Sequence, residues 1–126
     1  MLNKHIWKTY IPASLWFLLI LIGSLIPPNN IPDIQFSDKL IHAIFYGILA
    51  FLLFLAVDQQ NKKTNTLVSR WKAVLFIGLS AGAVVELIQM YLTESRSGEW
   101  LDVIANISGM LIALIIAEKL KKNGAL

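Results

Sequence analysis

Cysteine is absent from this chain of 126 residues. That excludes disulfide frameworks, thiolate metal sites and cysteine nucleophiles. Charge is scarce too: lysine and arginine together number 11, aspartate and glutamate 8. With a mean hydropathy of +0.64, the chain is too apolar for an ordinary soluble domain. Nucleotide-binding signatures, a hydrolase nucleophile elbow, DNA-binding patterns and paired histidines one helical turn apart are not expected. The net charge of +3 reflects where basic residues stand along the chain, so no nucleic-acid partner is expected.

Four long apolar segments are present, at about residues 10–26, 39–57, 72–92 and 101–117. A helix crosses the hydrocarbon core with roughly 17–25 apolar residues, so each reads as a transmembrane span. Pro27-Pro28 closes the first segment, Asp58 the second and Glu118-Lys119 the fourth. The expected fold is all-α, a single four-helix membrane domain over residues 1–126. Nine of the eleven basic residues fall in the tails and the loop between the second and third segments; only Lys39 and Arg96 lie on the other side. Basic residues accumulate on the cytoplasmic face. Both termini are therefore expected in the cytoplasm, in a multi-pass protein of the bacterial inner membrane. Trp7, Tyr10 and Trp71 would mark the inner interface, and Tyr91 and Trp100 the outer one. No small-x-small cleavage site follows the first segment, so it reads as a retained helix rather than a signal peptide.

Most of the remaining polar residues gather toward the opposite, outer end. Ionisable groups in or beside hydrocarbon are costly, which makes them functional candidates by default. Asp38, His42 and Tyr46 recur every four residues and share one face of the second helix. Glu86 and Gln89 share a face of the third, which Gly78 and Gly82 continue inward. Asp102, Asn106, Gly109 and Ala113 form a stripe on the fourth, polar at one end and small at the other. Small residues allow membrane helices to approach closely. Glu86 stands six residues before Leu92, roughly 9 Å below the outer end of its helix at 1.5 Å per residue. A carboxylate at that depth needs either a proton or a cation such as Arg96 or a protonated His42.

The ordered set Asp38-Lys39-x-x-His42-x-x-x-Tyr46, Glu86-x-x-Gln89, and Arg96 followed by Asp102-x-x-x-Asn106-x-x-Gly109 resembles the VanZ-like family of small bacterial membrane proteins. The resemblance covers roughly residues 20–115. It leaves out residues 27–37 and the extreme termini. The family's founding member is linked to resistance to teicoplanin, a glycopeptide antibiotic with a lipid tail that acts on cell-wall precursors outside the cell. The resemblance therefore implies a chemical neighbourhood: a lipid-linked cell-wall precursor or a lipoglycopeptide, met among membrane lipids.

The site expected from these residues is an outward-facing polar pocket. Asp38, His42 and Glu86 are the candidates for acid–base work, since a carboxylate beside imidazole tunes its basicity. Lys39, Tyr46, Gln89, Arg96, Asp102 and Asn106 are the candidates for substrate contact, with Arg96 suited to clamp a phosphate or carboxylate. Plainer readings compete. Ser37 or Asp38 could cap the second helix and Asp102 the fourth; Gln89 could be glue between helices, and Gly78 and Gly82 packing. His42, Glu86 and Asp102 offer metal ligands, but no compact ligand motif accompanies them, and neither metal nor cofactor is expected. A proton- or ion-coupled carrier is disfavoured because the cluster is confined to one leaflet.

Overall fold

The structure is a computed structural model that describes residues 6–25, 35–60, 66–92 and 100–126, without the side chains of residues 6, 35–38, 60, 92 and 100. Four helices follow one another: α1 (Ile11–Ser24), α2 (Gln35–Gln60), α3 (Leu67–Leu92) and α4 (Trp100–Lys122). No strand occurs among the described residues. Each helix, with the turn that precedes α1, is long and apolar enough to cross a membrane, so the chain is a multi-pass membrane protein.

Local chemistry explains the helix ends. Pro12 sits in the first turn of α1, where its missing N–H costs nothing but its ring opposes a preceding α-helical turn. The five residues before α1, Ile6–Tyr10, take the tighter 3₁₀ form instead. At roughly 2 Å per residue that turn brings the first span close to the thickness of the hydrocarbon core. Thr66 starts α3: its side-chain oxygen accepts the N–H of Ser69 at 3.1 Å, a typical N-cap. Gly124 ends α4 with a φ of +78°, while Ala125 N–H reaches Leu120 O at 2.8 Å and Gly124 N–H reaches Lys121 O at 3.1 Å. These are the two bonds of a Schellman motif.

Three of the four helices outrun their apolar segments, while α1 falls just inside its own. α2 starts four residues earlier and continues through Asp58, α3 starts five residues earlier, and α4 continues five residues past Ala117. A charge at the membrane boundary stops an apolar run but not a helix, because backbone hydrogen bonds continue into the headgroup region. Extra turns at those ends carry charges that pair with one another. Arg70 is buried and grips Glu118 with two bonds, Nε to Oε1 at 2.9 Å and Nη2 to Oε2 at 2.8 Å. Lys121 pairs with Asp58. Together these join α2, α3 and α4 at the end that holds the chain's C-terminus.

α2 is the central helix and touches the other three. Its most extensive partner is α4, and the reason is a pair of small-residue stripes. Ala43, Gly47 and Ala50 follow one another along α2 as Gly109, Ala113 and Ala117 do along α4. A Cβ added at Gly109 would be driven into the backbone of Ala43, 2.7 Å from its carbonyl carbon and 2.8 Å from its Cα. One added at Gly47 would lie 3.1 Å from Gly109 O. The two backbones touch, as small-x-x-x-small helices do in membranes. Beneath this seam Phe54, Val74, Met110 and Leu114 are fully buried. α1 is moored more lightly. Trp16 stacks edge-on against Phe45 with centroids 5.5 Å apart and donates its indole N–H to Phe45 O at 2.9 Å.

Candidate functional site

The end of the bundle opposite Arg70 and Glu118 gathers polar side chains from three helices. Lys39 opens the α2 contribution and pairs with Asp102 in the first turn of α4. A carboxylate there also benefits from the positive end of the helix dipole. The other oxygen of Asp102 lies 4.0 Å from Nε2 of His42, so one carboxylate faces two basic side chains. His42 lies one turn deeper than Asp38 and stacks nearly parallel on Tyr46, at 6.4 Å between centroids and 10° between planes.

Tyr46 lies one further turn down and is only 2% exposed. Glu86 from α3 and Asp102 from α4 both lie close enough to act electrostatically on its phenol. Asn106, one turn below Asp102, is 5% exposed. Gly82 of α3 stands between the two: a Cβ there would meet Tyr46 Cε1 at 3.5 Å and Asn106 Nδ2 at 3.6 Å. The deepest level is thus Tyr46 from α2, Gly82 from α3 and Asn106 from α4. The buried Oδ1 of Asn106 has no hydrogen-bond partner, a deficit worth about 1–3 kcal/mol in a dry site.

Six of the nine residues singled out from sequence therefore share one region: Lys39, His42, Tyr46, Glu86, Asp102 and Asn106. Gln89 is buried nearby, and its side-chain N–H donates to Ser24 O at the end of α1, at 2.9 Å. The side chain of Asp38 and the whole of Arg96 lie outside the described residues. α2 already runs through Ser37 and Asp38, and α4 begins ahead of Asp102. None of the three therefore stands at a cap. Among the described residues no group of three or more His, Asp or Glu side chains is arranged to hold a metal ion.

Several features were not foreseen. Gly78-Leu79-Ser80-Ala81-Gly82 does spell Gly-x-Ser-x-Gly, against the expectation that no such string occurs. It runs through the middle of α3 with Ser80 exposed. A nucleophile elbow needs a strand-to-helix turn to present its serine, so this string is not one. Arg70 had been grouped with the topological lysines, and the structure places it in a buried pair with Glu118. The spacing Ala43-x-x-x-Gly47 was the available signal for the α2 half of the seam. An apolar groove of about 380 Å³ runs along this seam between Leu40, Phe51 and Ile116; none of the polar residues lines it.

A family model described as VanZ/LLP1 matches residues 3–121, a wider stretch than the expected 20–115 and one that includes residues 27–37. No curated protein and no solved structure matches the chain. A match over nearly the whole length, on a bundle of four membrane-crossing helices, places the chain in the VanZ-like (VanZ/LLP1) family.

Proposed function

We propose that this protein binds a lipid-linked or amphiphilic molecule of the cell envelope in its polar cluster, and thereby contributes to resistance against teicoplanin-type glycopeptides. In this reading the cluster faces outward from the bacterial cytoplasmic membrane, with both termini inside. The observation that carries it is the convergence of Lys39, His42, Tyr46, Glu86, Asp102 and Asn106 from three helices at one end of an otherwise apolar bundle. Groups this polar are costly in hydrocarbon, and α2 and α4 already hold together through their glycines and alanines. Charged and polar groups near the boundary suit an amphiphile whose headgroup lies there and whose chains stay in the bilayer. If the bound molecule is also converted, Glu86 or His42 with Asp38 would act as base. Arg96 would clamp an anionic group.

The test uses teicoplanin susceptibility of a host expressing the protein, alongside binding of a lipid-linked cell-wall precursor to purified protein. Glu86→Gln, His42→Ala and Lys39→Ala should each abolish protection and weaken binding while the protein still accumulates in the membrane. Full protection by all three variants would sink the site reading.

A second reading is a non-catalytic module whose polar groups lock the bundle. Its support is that Lys39–Asp102 and Gln89–Ser24 are internal pairs. Under it, the same substitutions lower thermal stability in detergent and leave ligand binding unmoved.

A further inference from the structure

The groove between α2 and α4 is lined by apolar residues alone and takes no part in the polar cluster. Its floor is small: Ala43 and Gly47 on α2, Gly109 and Ala113 on α4. The two backbones already touch there, so the floor can neither sink nor part. Its walls are large. Ile44 and Ile48 stand on one side, Ile112 and Ile116 on the other, all of them exposed. A β-branched side chain in a helix has one strongly preferred rotamer, so these walls are stiff and hold the groove open.

Apolar side chains cover the exposed faces of the bundle elsewhere too; the dimensions set this groove apart. From Leu40 to Phe51 it follows α2 for eleven residues, about 16 Å at 1.5 Å per residue. That is close to half of the roughly 30 Å hydrocarbon core. It begins one residue after Lys39, where the membrane-crossing stretch of α2 begins. The groove therefore runs through a single leaflet, the one on the side of the polar cluster.

A volume of about 380 Å³ spread over that length gives a mean cross-section of about 24 Å². An α-helix with its side chains, about 10 Å across, has roughly three times that section. The groove is thus too narrow to seat a helix from a second copy, whereas one hydrocarbon chain is slender enough. At the membrane boundary the Lys39–Asp102 pair spans the same two helices, and 30% of the Lys39 side chain remains exposed. A lipid phosphate at that level would meet a cation with the groove directly below it.

We infer that the groove holds one unbranched acyl chain of an anionic phospholipid, with the headgroup at the level of Lys39 and Asp102. Bare walls lack dispersion contacts that a chain supplies. Because the walls are stiff beforehand, binding orders the lipid and little of the protein. Methyl branches on the chain would strike a floor made of backbone, which cannot retreat. This site stands on the groove and does not depend on the ligand reading proposed above.

Thermal unfolding in detergent tests it, with two lipids that share a headgroup. Dimyristoylphosphatidylglycerol has straight chains, and diphytanoylphosphatidylglycerol has methyl-branched ones. The first should raise the melting temperature by several degrees and saturate; the second should raise it little. Ile112→Trp fills the groove from one wall and should remove the effect of the straight-chain lipid. Ile48→Trp should do the same from the other wall, and serves alone if the first variant does not fold. Phe76→Trp adds similar bulk to an exposed position on α3 outside the groove and should leave the effect intact.

Equal stabilisation by the two lipids, or its loss in Phe76→Trp as well, would mean non-specific annular lipid and overturn the proposal. So would a dimer, measured by light scattering, that the Ile112 and Ile48 variants disrupt, since a second copy would then cover the groove. Neither measurement uses a cell-wall precursor or alters the polar cluster. Failure of this site and failure of the ligand reading are therefore distinguishable.

Discussion

The two seams of α4 are built on different principles. Against α2 it packs backbone to backbone at its middle, through Gly47, Gly109 and Ala113, with charged pairs at the two ends, Lys39–Asp102 and Asp58–Lys121. Against α3 the contact is looser and mixed: Met110 lies over Gly78, Asn106 and Tyr46 border Gly82, and Arg70 grips Glu118 at the far end. In hydrocarbon there is little hydrophobic drive between helices, so association rests on close packing and polar bonds. The first seam relies on backbone contact at its middle. The second sets side chains against glycines and adds one bidentate ion pair at its far end.

This contrast can be broken by substitution. The largest effect expected is for Arg70→Ala, which strands the part-buried Glu118 carboxylate. Breaking a buried pair costs about 3–5 kcal/mol, while replacing both partners by apolar residues costs far less. Denaturant unfolding in mixed micelles should therefore show Arg70→Met/Glu118→Leu well above Arg70→Ala. If the double variant is as unstable as the single one, the ion pair is needed for more than mutual neutralisation.

Gly109→Ala comes next. Its methyl meets backbone, which cannot rotate away, so a loss near the upper end of the overpacking range, about 3 kcal/mol, is expected. Gly78→Ala also overpacks, with a Cβ 2.5 Å from the Met110 sulfur. Met110 is a flexible side chain, so about 1 kcal/mol is expected. Equal losses at the two positions, read in the same unfolding experiment, would erase the distinction between the seams.

The smallest effect is expected for Gln89→Ala, which frees the carbonyl of Ser24 at the end of α1. About 1 kcal/mol is the usual worth of such a bond. Faster hydrogen exchange confined to α1 would show that Gln89 moors that helix. Exchange rising instead around Tyr46 and Asn106 would give Gln89 a part in the site.

Much of the site could be read from spacing. Asp102 and Asn106 lie four residues apart, as do His42 and Tyr46, and a helix turns such pairs to one face whatever surrounds it. That these faces meet also followed from the small residues continuing them, since Gly109 and Gly82 mark where helices come close. Partner choice was less legible. His42 was expected to work with Asp38 four residues away, whose side chain lies outside the described residues; a second carboxylate near it belongs to Asp102, sixty residues on. Spacing along one helix lists possible neighbours; only the packing of a second helix says which charge arrives. Arg70 was opaque for a related reason. A basic residue at a helix start is commonly topological, and Glu118 is 48 positions away.

The sequence by itself determined the class of the protein: four apolar stretches too long to be anything but membrane helices, and the distribution of polar residues toward one end. Those properties follow from hydropathy and helical period, which act locally. Tertiary structure alone decided that Asp102 serves both Lys39 and His42, and that Gly109 meets the backbone of Ala43 while Gly82 faces the side chains of Tyr46 and Asn106. It also decided that Asn106 ends up buried with an unanswered carbonyl. Each depends on how far apart two helix axes settle, and in a bilayer that distance is set by side-chain packing across the seam rather than by any residue's own preference.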